Sequence, residues 1–184
     1  MKVTLTKIPD IKIIEPVVFA DARGSFFEVF NEKKFLEHAG IRDRFVQDNQ
    51  SVSVKNVLRG LHYQIKHPQG KLIRVIRGEV FDVSVDLREK SATFGQWVGV
   101  HLSVENKKML WIPGGFAHGF LTLTEPAVVV YKVTDYYYPE HERCLKWNDR
   151  TLNINWPLVD GTTPILSRKD NESGKDLLNA EKFS

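Results

Sequence analysis

Apolar and polar residues alternate in several short runs of the chain. In EVFDVSVDL, large apolar side chains fall at every second position, at Phe81, Val83, Val85 and Leu87. A period of two places successive side chains on opposite faces of an extended chain, so this run predicts a β-strand with one buried face. Similar runs, each predicting a strand, are KLIRVI, QWVGVHL, KKMLWIP, GFLTL and AVVVYKV.

Turn-forming residues separate the predicted strands. Glycine and proline stand between the runs at Arg77-Gly78, Pro113-Gly114-Gly115 and Glu125-Pro126, and both residue types favour turns. Little helical pattern lies between the strands. We therefore expect an all-β fold, an antiparallel sandwich or barrel.

One short helix is predicted over NEKKFLEHAG. Asn31 is a suitable N-cap, Glu32 is an acidic residue in the first turn, and Gly40 is a suitable C-cap. A weaker pattern predicts a second helix near Leu177 and Leu178.

Length and charge limit the function classes. The chain has 184 residues, 42% of them hydrophobic, which suits a single compact domain over residues 1–184. The net charge is +3 with no long block of one sign, which argues against a nucleic-acid partner and leaves room for a modest anionic ligand.

The cysteine content and the N-terminal segment bear on location. Cys144 is the only cysteine, which excludes an internal disulfide and is compatible with a reducing compartment. Charged residues interrupt the first apolar segment before a signal-peptide core or a membrane span develops. We expect an unprocessed, cytoplasmic protein without membrane association.

Five polar side chains fall in segments that otherwise predict core strands: Arg59, His62, Lys71, His118 and Tyr131. Burying such groups costs free energy unless they are paired or serve a ligand site. A neutral histidine can accept a proton at physiological pH when a carboxylate orients its other ring nitrogen. The candidate carboxylates for His62 are Asp82, Asp86 and Asp170.

The sequence does not decide on which face of its strand the His62 side chain lies. Strict alternation in RGLHYQ puts Arg59 and His62 on opposite faces, unless Gly60 marks a β-bulge. A catalytic metal is not expected, because HYQIKHPQGK has no acidic residue and the chain offers no other convincing set of ligands.

Six strings of the chain together form a recognisable set: DARGSFFEVF, QDNQSVSVKNVLRGLHYQ, QGKLIRVIRGEVFDVSVDLR, WIPGGFAHGF, YKVTDYYYPEHE and WNDRTLNINWP. Together they resemble the dTDP-4-dehydrorhamnose 3,5-epimerase family of the cupin superfamily. The resemblance implies a β-jelly-roll homodimer that binds a dTDP-linked 4-keto-6-deoxy sugar. It further implies an isomerase of dTDP-L-rhamnose biosynthesis that inverts both carbons flanking the ketone without a metal or redox cofactor.

The resemblance assigns roles to individual residues. His62 matches the family's base, Asp170 its carboxylate partner, Lys71 the lysine near the keto oxygen and Tyr131 the proton donor. In PGGFAHGF, His118 lies in a PxGxxH turn whose histidine binds metal in other cupins. Because the partner HxH motif is reduced to His62-Tyr63-Gln64, His118 is expected to contact substrate.

Nucleotide binding is expected without a phosphate loop, since no GxGxxG or GxxxxGK[ST] motif occurs. Arginine suits diphosphate oxygens, and the resemblance implies cationic, aromatic and polar contacts at Arg23, Phe26, Glu28, Gln47, Asn49, Arg59, Tyr137, Glu142 and Lys169. It also implies that the segment from Arg23 to Glu28 reaches into the neighbouring subunit's site. Which tyrosine of the YYY run meets the base stays open.

Two alternatives remain at this stage. Related enzymes that invert only one carbon, or that shift the ketone, share the same fold and much of the same site. A sugar-nucleotide-binding protein without catalysis is the other, and it is disfavoured because binding alone needs no acid and base pair.

Overall fold

The computed structural model describes residues 1–159 and 161–184, and these form two α-helices and thirteen β-strands. The strands in chain order are β1 (Lys2–Leu5), β2 (Lys12–Glu15), β3 (Val18–Asp21), β4 (Gly24–Phe27), β5 (Gln47–Ser53), β6 (Leu58–Gln64), β7 (Lys71–Arg77), β8 (Glu79–Asp86), β9 (Trp97–Ser103), β10 (Met109–Ile112), β11 (Phe116–Thr122), β12 (Ala127–Val133) and β13 (Glu142–Cys144). The strands predicted by alternation are thereby confirmed.

Both helices begin at a side-chain cap. Helix α1 (Glu32–Ala39) confirms the prediction: the Asn31 side chain accepts a hydrogen bond from the Lys34 N–H, and Gly40 ends the helix in the left-handed conformation at φ 66°. Helix α2 (Arg168–Ser173) begins after Ser167, whose hydroxyl accepts the Asp170 N–H.

The prediction of a helix near Leu177 and Leu178 is wrong, because that segment forms turns against the sheet. Within the described part of the chain, neither helix combines the length and apolar character that crossing a bilayer demands.

Two antiparallel sheets and a separate hairpin make up the fold. The first sheet has the strand order β1-β2-β10-β7-β12-β5, and the second has the order β13-β6-β11-β8-β9. Strands β3 and β4 pair only with each other. The arrangement is a cupin-type jelly roll, which confirms the expected all-β class.

The main core lies between the two sheets. Apolar side chains from both sheets meet there, among them Ile73, Val80, Leu110 and Phe120. The outer face of the second sheet is covered by the C-terminal segment, which contributes Leu145, Leu152, Trp156 and Leu177. Helix α1 covers the outer face of the first sheet.

Strand β8 is buried on both faces, although alternation predicted burial on one. Its apolar face packs under the C-terminal segment. Its polar face, with Asp82, Ser84 and Asp86, points into the space between the sheets, and all three side chains are fully buried. A buried carboxylate needs a hydrogen-bonding or oppositely charged partner. Asp86 is paired with Arg88, and Asp82 is paired with a residue of the site described below.

Candidate active site

A cavity of about 600 Å³ opens between the two sheets, a volume within the range of small-molecule sites. Residues from both sheets, from the segment after β12 and from α2 line it. Eleven of the fourteen predicted site residues lie in this lining: Gln47, Asn49, Arg59, His62, Lys71, His118, Tyr131, Tyr137, Glu142, Lys169 and Asp170.

His62 and Asp170 form a hydrogen-bonded pair at the cavity wall. Strand β6 carries His62 and the first turn of α2 carries Asp170, whose Oδ1 contacts His62 Nε2. Burial opposes ionisation of Asp170, but its bonds with His62 and Ser167 outweigh that effect and lower its pKa. In a neutral imidazole the ionised carboxylate favours the proton on Nε2, which leaves Nδ1 as a hydrogen-bond acceptor. Of the three carboxylates considered for His62, Asp170 is the partner.

A β-bulge at Gly60 explains why Arg59 and His62 both face the cavity. Across the β6–β11 pair, His62 stands opposite His118 while Arg59 stands opposite Phe120, so β6 has one residue more than its partner strand. Gly60 adopts φ 107°, and a Cβ there would approach the His118 carbonyl oxygen to 2.5 Å. The extra residue reverses the alternation, which settles the question that the sequence left open.

Lys71 and Tyr131 enter the cavity from neighbouring strands of the first sheet. Burial lowers the pKa of Lys71 to about 8, while the charges of Asp82 and Glu142 oppose the shift. Burial raises the pKa of Tyr131, with Arg59 opposing the shift, so its phenol keeps its proton at neutral pH. The cavity therefore presents an amine and a protonated phenol beside the imidazole of His62.

His118 is held by a carboxylate that sequence reasoning had not assigned to it. Its Nε2 lies 2.9 Å from both carboxylate oxygens of Asp82, which is 0% exposed. Burial lowers the pKa of His118, with Asp82 opposing the shift. A neutral His118 thus donates its Nε2 proton to Asp82 and presents Nδ1 as a hydrogen-bond acceptor. The alternation of β8, with Asp82 at an inward position, was the signal for this residue.

The cavity mouth holds a cluster of Tyr137, Glu142 and Lys169. The Tyr137 hydroxyl donates to Glu142 Oε2 at 2.7 Å, and Lys169 Nζ donates to the same oxygen. The bond to Glu142 raises the pKa of Tyr137. Of the three consecutive tyrosines, Tyr137 is therefore the one that lines the site.

Strand β5 supplies a row of polar side chains. Gln47 Nε2 donates to Asn49 Oδ1 at 2.8 Å, and Arg59 Nε donates to Ser53 Oγ at 3.0 Å. Ser51 was missed by sequence reasoning, although it follows the same period of two. Ser51 lines the cavity, and its hydroxyl is buried without a hydrogen-bond partner among the described residues.

Three predicted site residues do not line the cavity: Arg23, Phe26 and Glu28. Arg23 forms a bidentate pair with Asp21, and Glu28 pairs with Lys34. Phe26 is 71% exposed on the β3–β4 hairpin. Within one subunit, the structure does not bring these residues to the other eleven.

Cys144 lies next to the His62–Asp170 pair, and the sequence analysis did not assign it to the site. One potential ligand atom from each of His62, Cys144 and Asp170 lies within 4.8 Å of the other two. Burial raises the pKa of the Cys144 thiol to about 12, so the thiol is neutral.

The combined groups suit the removal of a proton beside a carbonyl. Such a proton is acidic only when the resulting enolate oxygen is stabilised, and inversion needs a second group that returns a proton on the opposite face. His62, Lys71 and Tyr131 are a base, a cation and an acid facing one cavity. Arg59 and Lys169 add positively charged groups to the lining of the same cavity.

A family model and a curated relative both match this chain, and both carry the same family name. A family model described as dTDP-4-dehydrorhamnose 3,5-epimerase matches residues 5–176. The dTDP-4-dehydrorhamnose 3,5-epimerase of Pseudomonas aeruginosa is 57% identical over 183 residues, covering 100% of this chain and 99% of the relative.

Two solved structures show how far the fold is shared. The dTDP-6-deoxy-D-glucose-3,5-epimerase of Legionella pneumophila, solved with dTDP-4-keto-L-rhamnose, has a TM-score of 0.93 and 52% identity over 98% of this chain and 94% of that one. A 3'-monoepimerase from Streptomyces bikiniensis, solved with dTDP-quinovose, has a TM-score of 0.87 and 34% identity over 95% of this chain and 87% of that one.

Proposed function

The chain belongs to the dTDP-4-dehydrorhamnose 3,5-epimerase family, and we propose that His62, Lys71, Tyr131 and Asp170 carry out its reaction. The substrate is dTDP-4-dehydro-6-deoxy-D-glucose and the product is dTDP-4-dehydro-L-rhamnose, a step of dTDP-L-rhamnose biosynthesis. The observation that supports this assignment most strongly is the His62–Asp170 pair facing the same cavity as Lys71 and Tyr131.

The proposed reaction repeats one proton exchange on each side of the ketone. His62 Nδ1 takes the proton from a carbon next to the carbonyl, and Asp170 stabilises the imidazolium that forms. The Lys71 ammonium stabilises the enolate oxygen. Tyr131 returns a proton to the opposite face of the carbon, which inverts it. The imidazolium of His62 then releases its proton to solvent and the phenol recovers one from solvent, so both groups are ready for the second exchange.

The nucleotide half of the substrate is proposed to occupy the outer part of the cavity. We expect Arg59 and Lys169 to bind the diphosphate, since arginine and lysine both pair with phosphate oxygens. We expect Tyr137 to stack on the thymine. Gln47 and Asn49 offer amide contacts to the base and its sugar.

Product stereochemistry distinguishes this reaction from single epimerisation. We expect proton NMR of the reaction mixture to show a product inverted at both carbons. A product inverted only at carbon 3 would identify a 3'-monoepimerase, and tight binding without turnover would identify a binding protein.

We also propose a homodimer in which the β3–β4 hairpin of one subunit completes the site of the other. Phe19 and Phe26 are 64% and 71% exposed on this hairpin, and large aromatic side chains in such a position favour a partner surface. The Arg23 side chain is 90% exposed and carries positive charge suited to a diphosphate. Among the described residues, the hairpin pairs with no other strand of its own subunit. We also propose that the protein is cytoplasmic.

Mixing two inactive variants tests whether Arg23 acts across the dimer. We expect Arg23→Ala and His62→Asn to be impaired separately, and to regain activity when they are unfolded and refolded together. The mixed dimer then contains one intact site, with His62 from one chain and Arg23 from the other. Random pairing gives about a quarter of the wild-type activity. No recovery would place Arg23 in the site of its own subunit or outside the reaction.

Asp82 is proposed as a positioning residue for Lys71 and His118. In Asp82→Asn the amide oxygen still accepts from His118, but the negative charge that helps to keep Lys71 protonated is lost. Since the cationic lysine is the active form, kcat/KM falls as pH rises through the Lys71 pKa of about 8. We expect this alkaline limb to move to lower pH by about one unit in Asp82→Asn.

Asp86→Asn is the matched control for that pH profile. Asp86 is equally buried on the same face of β8, but its partners are Arg88, Ser91 and Thr93. It is expected to lower stability without moving the alkaline limb. Identical limbs in the wild type and in Asp82→Asn would contradict the role assigned to Asp82.

A further inference from the structure

The fold brings one sulfur, one nitrogen and one oxygen ligand together behind the cavity wall. Strand β13 pairs with β6 so that Cys144 stands opposite His62, and side chains of such a cross-strand pair lie on the same face of the sheet. Helix α2 places Asp170 over this pair. The three ligand atoms lie within 4.8 Å of one another.

This spacing suits an ion that prefers mixed ligands. Three atoms no more than 4.8 Å apart all lie within about 2.8 Å of a common centre. Zinc bonds to sulfur, nitrogen and oxygen measure about 2.0 to 2.3 Å, so each side chain needs to move by roughly half an ångström. The ion would replace the hydrogen bond between His62 and Asp170.

The charge and the access of the cluster also fit a divalent cation. A thiolate, a carboxylate and a neutral imidazole carry two negative charges, which one divalent ion balances. The thiol proton passes to solvent, and the His62 proton moves from Nε2 to Nδ1 so that Nε2 can bind the ion. His62 and Asp170 both line the cavity, so a fourth position is open to water there. Thiolate and imidazole ligands select zinc, cadmium or cobalt over magnesium, which prefers oxygen.

We propose that His62, Cys144 and Asp170 form an inhibitory site for thiophilic divalent cations such as Zn²⁺. An ion held there separates His62 from Asp170 and occupies the groups that remove the substrate proton. The inhibitory part of this inference rests on the proposed role of His62, whereas binding of the ion does not.

The test compares the EDTA-treated wild type with Cys144→Ser and His67→Ala. Calorimetric titration with Zn²⁺ measures binding, and addition of Co²⁺ reveals a sulfur ligand by the near-ultraviolet charge-transfer band of a cobalt–thiolate bond. His67 is exposed and paired with Asp135 outside the cluster, so His67→Ala controls for zinc on surface histidines. Cys144→Ala and thermal melting curves distinguish loss of the ligand from loss of the fold.

We expect the wild type and His67→Ala to bind one Zn²⁺ and to show the cobalt band. Cys144→Ser is expected to lack the band, to bind Zn²⁺ at least about tenfold more weakly, and to turn over normally in metal-free buffer. Zinc should inhibit the wild type at the concentrations at which it binds. Equal zinc binding by wild type and Cys144→Ser, or no cobalt band in the wild type, would overturn the site. Zinc bound through Cys144 with undiminished turnover would leave the site standing and overturn the role of His62.

Discussion

The His62→Asn variant is expected to lose turnover by about 10²- to 10⁴-fold, the contribution of a well-placed general base. Asparagine cannot accept the substrate proton, and it leaves Asp170 without the imidazolium that the carboxylate stabilises. The cationic and aromatic groups at the nucleotide end are unchanged, so the affinity for dTDP should stay close to that of the wild type. Steady-state kinetics and calorimetric titration with dTDP measure the two effects.

His101→Asn is the control for this variant. His101 lies on β9 and contacts Glu79 outside the cavity, so the substitution should leave turnover unchanged. A His62→Asn enzyme with near-normal kcat would remove His62 from the role of base. A variant that also loses dTDP binding would point to a disturbed fold and would leave the assignment of the base unsupported.

The Tyr131→Phe variant is expected to lose inversion by about 10²- to 10⁴-fold while still exchanging substrate protons with solvent. His62 can still remove a proton and return it to the same face, since its side chain is partly open to the cavity. Phenylalanine keeps the packing of the ring against the core and removes only the hydroxyl. NMR in deuterated water separates the two processes, because same-face return labels the carbon without changing its configuration.

Tyr137→Phe is the matched aromatic control for Tyr131→Phe. Its hydroxyl bonds to Glu142 at the cavity mouth, so the variant should alter KM more than inversion. Inversion by Tyr131→Phe at the wild-type rate would assign the proton donor to another group. Loss of both exchange and inversion would instead place Tyr131 in the step that removes the proton.

The strands of the fold could be predicted because alternation reports directly on a sheet with buried inner positions. The burial of β8 on both faces could not, because the C-terminal segment that covers it lies far away in the sequence. Helix α2 gave no signal, since RKDNES has no apolar repeat and its start depends on the Ser167 cap. Leu177 and Leu178 suggested a helix, but Leu177 packs beneath the sheet while Leu178 points to solvent.

The identities of the site residues came from the family resemblance, and their pairing came only from the structure. Sequence offered three carboxylates for His62, and the fold gives Asp170 to His62 and Asp82 to His118. Gly60 decides that Arg59 and His62 face the same cavity, because a bulge reverses the alternation between them. Arg23, Phe26 and Glu28 lie outside the lining of the cavity, so their predicted roles depend on the proposed dimer.

Deuterium exchange tests most directly whether one base, His62, removes the protons on both sides of the ketone. The wild type and His62→Asn are incubated with dTDP-4-dehydro-6-deoxy-D-glucose in deuterated water, and deuterium is located by NMR. We expect label at both carbon 3 and carbon 5 with the wild type and at neither carbon with His62→Asn. Label at only one carbon with the wild type, or at either carbon with His62→Asn at the wild-type rate, would contradict this expectation.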